Sequence, residues 1–588
     1  MPSFDGESDD SSEFARHMRL LRTQTGGTSL DLQNTPIFNT AVRSRASQLS
    51  GSSDGSTFSQ YGLLGGVSPN TIGEGTNGQQ PSASDPRIFY NVTSPSSVFI
   101  CGSQGSGKSH SLSCLLENCL LPSDANKLPR PLTGVVFHYD TFNSDTGGTP
   151  SEAAYLSSNP AVKVRVLCAP TNRVKIEKIY SCLPNVVVQE FRIHDSQLNT
   201  KRMLDLMAMG SVAGDAWPLY MHTVTRILRN MRLEQQALGE DGFSYGDFKR
   251  RLTDEGLVGT QLGPLQQRLD ALESFMVPDH ATQTRLRSGT GKKTQIGKFA
   301  KGAKTIDKTW TPKSGRLTIV DLSCPCITDV TACSLFTICL SLFLEQESDV
   351  GRVVALDEAH KYMTGSAECE TLTERLLSAI RLQRHLAARV FISTQEPTIS
   401  PKLLDLCSAT IVHRFTSPEW LNTLKSHLAG ASKLGASSAT DPDHDGNEAF
   451  VTPTLRIGGS EDLLADIFRQ IVSLRTGEAL LFAPNAAIGV RLESASSNYD
   501  SDDSDDSSMG SSSADESEST AESWRSSKDL TSFNKSSPKT GVLIAHGVET
   551  AASRERRATD VIRLGSGVLK ISIRQRVTQD GGQSIMSR

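Results

Sequence analysis

The stretch from Ser97 to Leu121, SVFICGSQGSGKSHSLSCLLENCLL, decides the fold. It opens with the apolar run Ser97–Cys101, continues through a glycine-rich turn to Lys108 and Ser109, and ends in a segment with helical spacing of apolar residues. The turn has the pattern GxxxxGK(S/T), in which glycines let backbone N–H groups surround phosphate oxygens and the next helix adds its positive end. A strand, such a turn and a helix in this order predict a phosphate-binding loop. A glycine-rich turn without function is the alternative.

The chemistry of a bound triphosphate assigns roles within this loop. We expect Lys108 to contact the β- and γ-phosphates and Ser109 to ligate Mg²⁺. The expected ligands are therefore ATP and Mg²⁺. The residues predicted to bind the nucleotide are Gly102, Ser103, Gln104, Gly105, Ser106, Gly107, Lys108, Ser109 and His110.

A second acidic motif ends an apolar run far along the chain, at Val353–Asp357. A P-loop enzyme needs a carboxylate for Mg²⁺ and a group that orients water. We expect Asp357 to hold Mg²⁺ through water and Glu358 to polarise the attacking water. The run Leu317–Asp321 also ends in an acid but lacks a following glutamate, so we interpret it as a neighbouring strand. A solvated strand end is the alternative for the Asp357-Glu358 pair.

Short apolar runs alternate with helical stretches through most of the chain, which is typical of a parallel α/β sheet. We therefore predict an α/β fold of the RecA-like P-loop NTPase type, with a mostly parallel central sheet and an inserted helical subdomain. The predicted strands are Ser97–Cys101, Gly134–Tyr139, Lys163–Cys168, Val186–Ile193, Leu317–Asp321, Val353–Asp357, Arg389–Thr394, Thr410–Phe415 and Glu478–Phe482.

Composition divides the chain further. Residues 1–85 lack sustained periodicity and are interpreted as disordered, and 86–495 are predicted to form the ATPase core. Within that core we expect the helical insertion at about 200–287 and a basic loop at 289–313. The stretch 496–540 is acidic and serine-rich, which predicts a disordered tail. The last segment, 541–588, has two short apolar runs and no assigned role.

Charge and cysteine usage limit the compartment and the partners. The net charge is −5, but the stretch Tyr499–Ser523 holds nine acids and no base, so the remainder is slightly basic. The cysteines contain no CxxC pair and match no zinc spacing. Met1–Glu13 is acidic and polar, unlike a signal peptide, and the longest apolar run, Ala332–Leu344, is too short to span a bilayer. We expect an intracellular protein, cytoplasmic or nuclear, with no membrane partner.

The motifs together resemble those of the HerA–FtsK superfamily of hexameric ATPases that pump DNA. Asp357–His360, with the letters DEAH, resembles its second motif, and Ser393–Pro397, STQEP, resembles its (A/S)TQxP motif. Arg381 and Arg384 resemble its RxxR stretch. Thr476–Ala479 is similar to the start of its closing strand. The likeness covers roughly residues 86–495.

The resemblance implies further roles. Gln395 would sense the γ-phosphate, and Arg384 or Arg381 would reach the nucleotide of a neighbouring subunit in a hexameric ring. Arg414 is a weaker candidate for a sensor in the same subunit. The alternatives are a strand-end amide for Gln395 and solvated surface positions for the arginines. Superfamily members with an N-terminal β-barrel have strands where the first 85 residues here show none.

Two functions stay open at this point. The first is an ATP-driven motor on DNA, for which lysines of the basic loop would neutralise phosphates. The second is a nucleotide-dependent switch or scaffold without motor activity. A solvated loop is the plain alternative for the lysines, and a nucleotide kinase is disfavoured because no acceptor-binding lid is recognisable. The lysines predicted to contact DNA are Lys292, Lys293, Lys298, Lys301 and Lys304.

Overall fold

The computed structural model describes residues 32–49, 57–68, 85–140, 148–207, 219–239, 242–257, 259–277, 309–396, 399–424, 460–490 and 561–581. All of these except Val490 belong to one unit of the fold, which spans Met1–Gly489 and Val561–Arg588. The acidic stretch 496–540 and the lysines predicted to contact DNA lie outside the described residues.

The strands are distributed over the whole length of the chain. They are β1 (Ile37–Asn39), β2 (Tyr61–Val67), β3 (Arg87–Asn91), β4 (Ser97–Cys101), β5 (Asn126–Lys127), β6 (Thr133–His138), β7 (Lys163–Cys168), β8 (Val186–Glu190), β9 (Arg316–Asp321), β10 (Arg352–Leu356), β11 (Ala388–Thr394), β12 (Ala409–Val412), β13 (Glu478–Phe482), β14 (Ala487–Val490), β15 (Val561–Arg563) and β16 (Leu569–Ile573). Each strand predicted from the sequence coincides with one of these, within three residues at its ends.

Helices occupy most of the intervals between strands. They are α1 (Thr40–Leu49), α2 (Lys108–Leu120), α3 (Arg173–Tyr180), α4 (Thr200–Met207), α5 (Leu219–Leu238), α6 (Tyr245–Asp254), α7 (Gly259–Phe275), α8 (Asp329–Leu344), α9 (Ala367–Arg381), α10 (Pro401–Leu406) and α11 (Ser460–Ser473). Short 3₁₀ helices lie at Glu152–Ser158, Pro170–Asn172, Asp195–Gln197 and Ala359–Lys361.

One sheet joins the strands in the order β15-β14-β1-β3-β2-β16-β13-β12-β4-β11-β10-β6-β9-β7-β8, with β5 paired to β2. The strands from β12 to β8 in this order are parallel. Parallel strands end at the same edge of a sheet, which we call the carboxyl edge. The register pairs Cys101 with Thr394 and Leu356 with Ile392, so β4, β11 and β10 end side by side there. The predicted α/β fold with a mostly parallel sheet is confirmed.

The strands are apolar throughout because both faces of the parallel block are covered. Val98 and Ile100 of β4 point into a core on the α2 face, whereas Phe99 and Cys101 point into a second core on the opposite face. That second core includes α8, which is buried almost all round, as its apolar run predicts. Burial of each large apolar side chain contributes about 1.5–3 kcal/mol.

The helices α4 to α7 lie between β8 and β9 in the chain, where the helical insertion was predicted. Polar contacts join this insertion to the core helices. Arg202 of α4 donates to the Ser341 hydroxyl and pairs with Glu345 at the end of α8. Arg375 of α9 pairs with Asp205 at 2.9 Å. Buried apolar residues of all four helices belong to the same core as α8.

The interpretation of residues 1–85 as disordered and without strands is wrong for two stretches, because β1 and β2 are strands of the sheet. The glycines of β2 made this segment look like low-complexity sequence, but they have a steric reason. A Cβ on Gly62 would lie 2.2 Å from the Asn118 side chain, and one on Gly65 would lie 2.2 Å from the Ser572 carbonyl oxygen. β2 can approach α2 and β16 this closely only because Gly62 and Gly65 carry no side chain.

The C-terminal segment, which had no predicted role, supplies a central strand. β16 lies between β2 and β13 and is antiparallel to both. Across the described ranges, no helix is both long enough and apolar enough to cross a membrane.

Candidate functional site

The glycine-rich turn after β4 has the backbone geometry of a phosphate-binding loop. Gly105 and Gly107 have φ angles of 72° and 111°, a region that favours glycine. Gly107 is also the N-cap of α2. Inside the turn, the Ser106 hydroxyl donates to the Ser103 carbonyl at 2.7 Å. The conformation therefore leaves the N-terminus of α2 open toward the carboxyl edge, where N–H groups can meet phosphate oxygens.

Lys108 lies in the first turn of α2 and is only 3% exposed. Its Nζ donates to the Ser103 carbonyl at 2.9 Å. Burial lowers the pKa of this ammonium, while the carboxylates of Glu358 and Asp357 act in the opposite direction. The fold thus places the Lys108 ammonium close enough to the carboxylates of Asp357 and Glu358 for their charges to interact.

Asp357 follows β10 directly and is 3% exposed. Its Oδ2 lies 3.6 Å from His138 Nδ1, and its Oδ1 has no hydrogen-bond partner among the described residues. Burial opposes protonation of His138, but the carboxylates of Asp357 and Asp321 raise its pKa. A buried carboxylate oxygen without a partner normally indicates a missing ion or water. This oxygen and the Ser109 hydroxyl therefore fit the hard oxygen-ligand set that Mg²⁺ prefers.

The competing acid, Asp321, has a different environment. Its Oδ2 accepts a hydrogen bond from the Tyr180 hydroxyl at 2.7 Å, and its Oδ1 accepts one from the Ser323 N–H at 3.0 Å. β9 is two strands from β10, with β6 between them. Both carboxylate oxygens of Asp321 are thus used inside the protein, which supports its interpretation as a structural strand end.

Glu358 has a left-handed backbone conformation, with φ 49° and ψ 46°. A non-glycine residue in this region stores strain of about 1–3 kcal/mol and is often found at functional sites. Its Oε2 accepts a hydrogen bond from Gln395 Nε2 at 2.5 Å and lies 3.5 Å from His360 Nε2. Burial and the neighbouring Asp357 raise the pKa of Glu358, and Lys108 and Gln395 partly offset this. A carboxylate with a raised pKa is a suitable proton acceptor near neutral pH.

Gln395 follows β11, and its backbone is held from two directions. Trp420 Nε1 donates to the Gln395 carbonyl at 2.8 Å, and the Gln395 N–H points to His360 Nδ1 at 3.4 Å. Burial lowers the pKa of His360 to about 4, so its ring is neutral near pH 7 and can accept at Nδ1. Trp420 and His360 therefore hold the Gln395 backbone, while its side-chain amide contacts Glu358.

The predicted arginines lie elsewhere. Arg381 ends α9, and Arg384 lies in the exposed turn before β11. β11 is seven residues long, so this turn is about 20 Å from the carboxyl edge of the same chain. Arg414 follows β12, and its carbonyl accepts hydrogen bonds from the backbone N–H and the hydroxyl of Ser103, both at 2.9 Å. Arg414 thus borders the phosphate-binding loop, whereas Arg381 and Arg384 do not.

His413 contacts the loop but was not predicted as a site residue. Its ring is buried, with Nδ1 3.0 Å from the Glu478 carbonyl and Nε2 2.8 Å from the Ser111 hydroxyl. A carbonyl only accepts, so Nδ1 carries the proton and Nε2 accepts from Ser111. Burial lowers the pKa of His413 to about 4. A Cβ on Gly102 would lie 2.7 Å from His413 Cβ, so this histidine also forms the floor of the loop.

A buried ion pair attaches the C-terminal segment to α2, and it too was missed. Glu117 is fully buried and pairs with Arg574 at 2.7 Å. Its oxygens also accept from the N–H groups of Val577 and Thr578 and from the Thr578 hydroxyl. His110, one of the predicted nucleotide ligands, contacts the Arg574 carbonyl through Nε2 at 2.8 Å. The available signal was an acid in the middle of an apolar helix, where a charge needs a partner.

Comparison with known proteins gives distant structural matches. No family model matches the sequence, and no curated protein matches it. The structure is similar to VirB4 of Thermoanaerobacter pseudethanolicus, with a TM-score of 0.42 and 10% identity over 72% of this chain and 93% of that one.

The fold also matches the bacterial conjugative coupling protein TrwB, with a TM-score of 0.33 and 13% identity over 66% of this chain and 83% of that chain. A second TrwB structure, in complex with the non-hydrolysable GTP analogue GDPNP, matches with a TM-score of 0.33 and 14% identity over 66% and 82%. Each of these matches has a TM-score below 0.5 and an identity of 14% or less. At such TM-scores and identities, neither substrate nor assembly follows from them.

Proposed function

We propose that this protein is a Mg²⁺-dependent nucleoside triphosphatase that hydrolyses ATP. The observation that carries the proposal is the convergence of Lys108, Asp357, Glu358 and Gln395 at one edge of the sheet, from three adjacent strands. A phosphate-binding loop by itself accounts for binding of the nucleotide but not for its hydrolysis. A strained, mostly buried glutamate next to Asp357, the acid expected to hold Mg²⁺, is the additional group that hydrolysis needs.

Each residue has a distinct task in this mechanism. The backbone N–H groups of the loop and Lys108 bind the phosphates and stabilise negative charge on them as the terminal bond breaks. Glu358 orients a water molecule toward the γ-phosphate and accepts its proton. The Gln395 amide holds the Glu358 carboxylate and lies where it can respond to the γ-phosphate.

Ser109 and Asp357 would hold Mg²⁺, which neutralises charge on the β- and γ-phosphates when it is bound. The unpartnered Asp357 Oδ1 is the feature of this chain that fits the ion.

We further propose that hydrolysis is coupled to movement along DNA in a hexameric ring. The support is the motif resemblance, together with the seven lysines between Gly289 and Lys313. Arg381 and Arg384 lie too far from the nucleotide of their own subunit to touch it. A trans role at a neighbouring subunit is the catalytic role that remains for them.

The test is ATP turnover with and without DNA, together with the mass of the protein in solution. Replacing Lys298, Lys301 and Lys304 together by Ala should reduce the stimulation of ATP turnover by DNA. DNA binding by this variant should also depend less steeply on salt, because each neutralised phosphate contributes about −0.7 to −0.9 to the log–log slope of affinity against salt concentration. Basal turnover should persist, because the nucleotide motifs are elsewhere. A matched control replaces Lys127, Lys163 and Lys178, which are exposed and lie on β5, β7 and α3.

An ATPase that DNA does not stimulate, with an unchanged salt slope in the triple variant, would favour a nucleotide-dependent switch over a motor. Absence of hydrolysis with intact nucleotide binding would favour the switch more strongly.

A further inference from the structure

The strand order gives the direction in which a bound triphosphate must point. Glu358 and Gln395 act on the γ-phosphate in the proposed mechanism, and they follow β10 and β11, on one side of β4 in the sheet. The phosphate-binding loop follows β4 itself. The γ-phosphate therefore points toward β11 and β10. The α-phosphate and the nucleoside must lie on the other side of the loop, toward β12, β13 and β16.

Three chain segments meet on that side. β12 is parallel to β4, so the residues that follow it reach the carboxyl edge. β13 is antiparallel to β12, so the turn before it, Arg475–Gly477, lies at the same edge. β16 is antiparallel to β13, and its C-terminal end at Ile573 returns there. The Gly477 N–H donates to the Ser106 carbonyl at 3.2 Å, so this side is in direct contact with the loop.

The segment after β16 is attached to the helix that carries the loop. Its inner part is closed: Glu117 and Arg574 are buried, and their ion pair is surrounded by further hydrogen bonds. Its outer part is open to solvent at the carboxyl edge. The His110 side chain is 22% exposed, and Asp580, with Oδ2 4.0 Å from His110 Nδ1, is 47% exposed.

We propose that His110 and the outer end of the C-terminal segment, at Asp580, form the subsite for the nucleoside part of the triphosphate. The inference rests on the proposed function and adds the location of the base and ribose. His110 follows Ser109 directly and lies on the nucleoside side of the loop. Its ring offers a flat surface for a base. Asp580, whose Oδ1 lies 3.7 Å from Arg576 Nη1, offers a half-exposed carboxylate of the kind that accepts hydrogen bonds from ribose hydroxyls.

The buried Glu117–Arg574 pair gives this subsite its rigidity. It fixes a segment from the end of the chain against the first turns of α2, so that the nucleoside and phosphate contacts belong to one unit. The plain alternative is that the C-terminal segment only stabilises α2 and touches no ligand. The proposal and this alternative differ in one point: only in the proposal do His110 and Asp580 contact the nucleoside.

The test compares two probes in the presence of Mg²⁺, adenylyl imidodiphosphate and inorganic tripolyphosphate. Both carry a chain of three phosphates, but only the first carries a nucleoside. We expect His110→Ala and Asp580→Ala each to weaken binding of the nucleotide about tenfold, which corresponds to the loss of a contact worth about 1.4 kcal/mol. Binding of tripolyphosphate should stay within about twofold of wild type.

His222→Ala, at an exposed position of α5, is the matched control and should change neither affinity. Asp580 is half exposed, so Asp580→Ala keeps the test valid even if His110→Ala perturbs folding. The melting temperature of each variant without ligand shows whether it is folded. Equal weakening of both probes, or no weakening of the nucleotide, would overturn the subsite and leave the proposed function standing. A wild-type protein that binds neither probe would overturn both.

Discussion

Gln395 Nε2 donates a hydrogen bond to Glu358 Oε2 at 2.5 Å, which joins the ends of two adjacent parallel strands, β11 and β10. The group proposed to activate water is thus held by the group proposed to sense the γ-phosphate. The contact lies beside Asp357 and Lys108, whose opposite charges act on the same carboxylate. A change at Gln395 must therefore affect the protonation of Glu358.

Replacing Gln395 by Ala should shift the pH dependence of turnover. The pKa of Glu358 is raised by burial, and the Gln395 hydrogen bond lowers it in part. Without the amide the pKa rises further. Because the acceptor must be ionised, activity falls as the pH decreases through this pKa, and the acidic limb of the kcat profile should move to higher pH. Gln266→Ala, on α7, is the control and should leave the profile unchanged; an unmoved limb in Gln395→Ala would contradict the assigned contact.

Replacing Glu117 by Gln should destabilise the fold by about 3–5 kcal/mol, because the buried Arg574 loses its counter-charge. Burial raises the pKa of Glu117, but Thr578 and Arg574 outweigh it and hold the pKa below its usual value. This contribution is present above the pKa of the unfolded chain and is lost as pH falls through the folded pKa. Urea unfolding measures the change. Asp466→Asn breaks the exposed Arg469 pair and should cost less than about 1 kcal/mol; similar losses in both variants would rule out the buried pair as a major stabilising contact.

The neutral ring of His413 should make the protein less stable in acid. Its pKa is lowered by burial to about 4, from an ordinary value of 6.5. The unfolded chain therefore binds this proton first, and the free energy of unfolding decreases as pH falls from 6.5 toward 4. In His413→Asn the slope over this window should be shallower by up to about 1.4 kcal/mol per pH unit. A slope equal to that of wild type would show that folding does not lower the pKa of His413.

Mixing variants tests the trans role of Arg384. Arg384 lies at the edge of the sheet opposite the phosphate-binding loop, so in this proposal it acts on the nucleotide of a neighbouring subunit. A ring made only of Arg384→Ala subunits, or only of Glu358→Gln subunits, lacks one group of the site at every interface. We therefore expect each variant to be inactive alone. In a mixed ring, some interfaces pair an intact arginine with an intact glutamate, and part of the turnover should return. Lys163→Ala subunits mixed with Glu358→Gln subunits are the control for dilution. A fully active monomer would exclude this arrangement.

Local patterns explain why the sequence was sufficient for much of the fold. The strands β4, β10 and β11 are short apolar runs, and each is followed directly by the polar residues of a motif. Because parallel strands end at a common edge, Lys108, Asp357 and Gln395 could be expected to meet. The opposite charges of Lys108 and Asp357 and the hydrogen-bonding amide of Gln395 also follow from the residue types in the motif after each strand.

Non-local pairing explains what the sequence did not predict. β2 contacts the residue after β16 through the Leu63 carbonyl and Arg574 Nε, 511 positions apart. β2 is rich in glycine because α2 and β16 approach its backbone closely, and glycine there resembles a linker when no neighbour is known. The Glu117–Arg574 pair and the His413 hydrogen bonds also depend on contacts between distant segments, so neither has a local sequence pattern.

The most direct test of the central claim is Mg²⁺-dependent phosphate release from ATP by wild type and Glu358→Gln, with nucleotide binding measured in parallel. We predict that wild type hydrolyses ATP and that Glu358→Gln binds the nucleotide with similar affinity but turns over about 10²–10⁴-fold more slowly, because the amide keeps the size of the side chain and cannot accept the proton. Turnover by Glu358→Gln at the wild-type rate, or no hydrolysis by wild type, would contradict the claim.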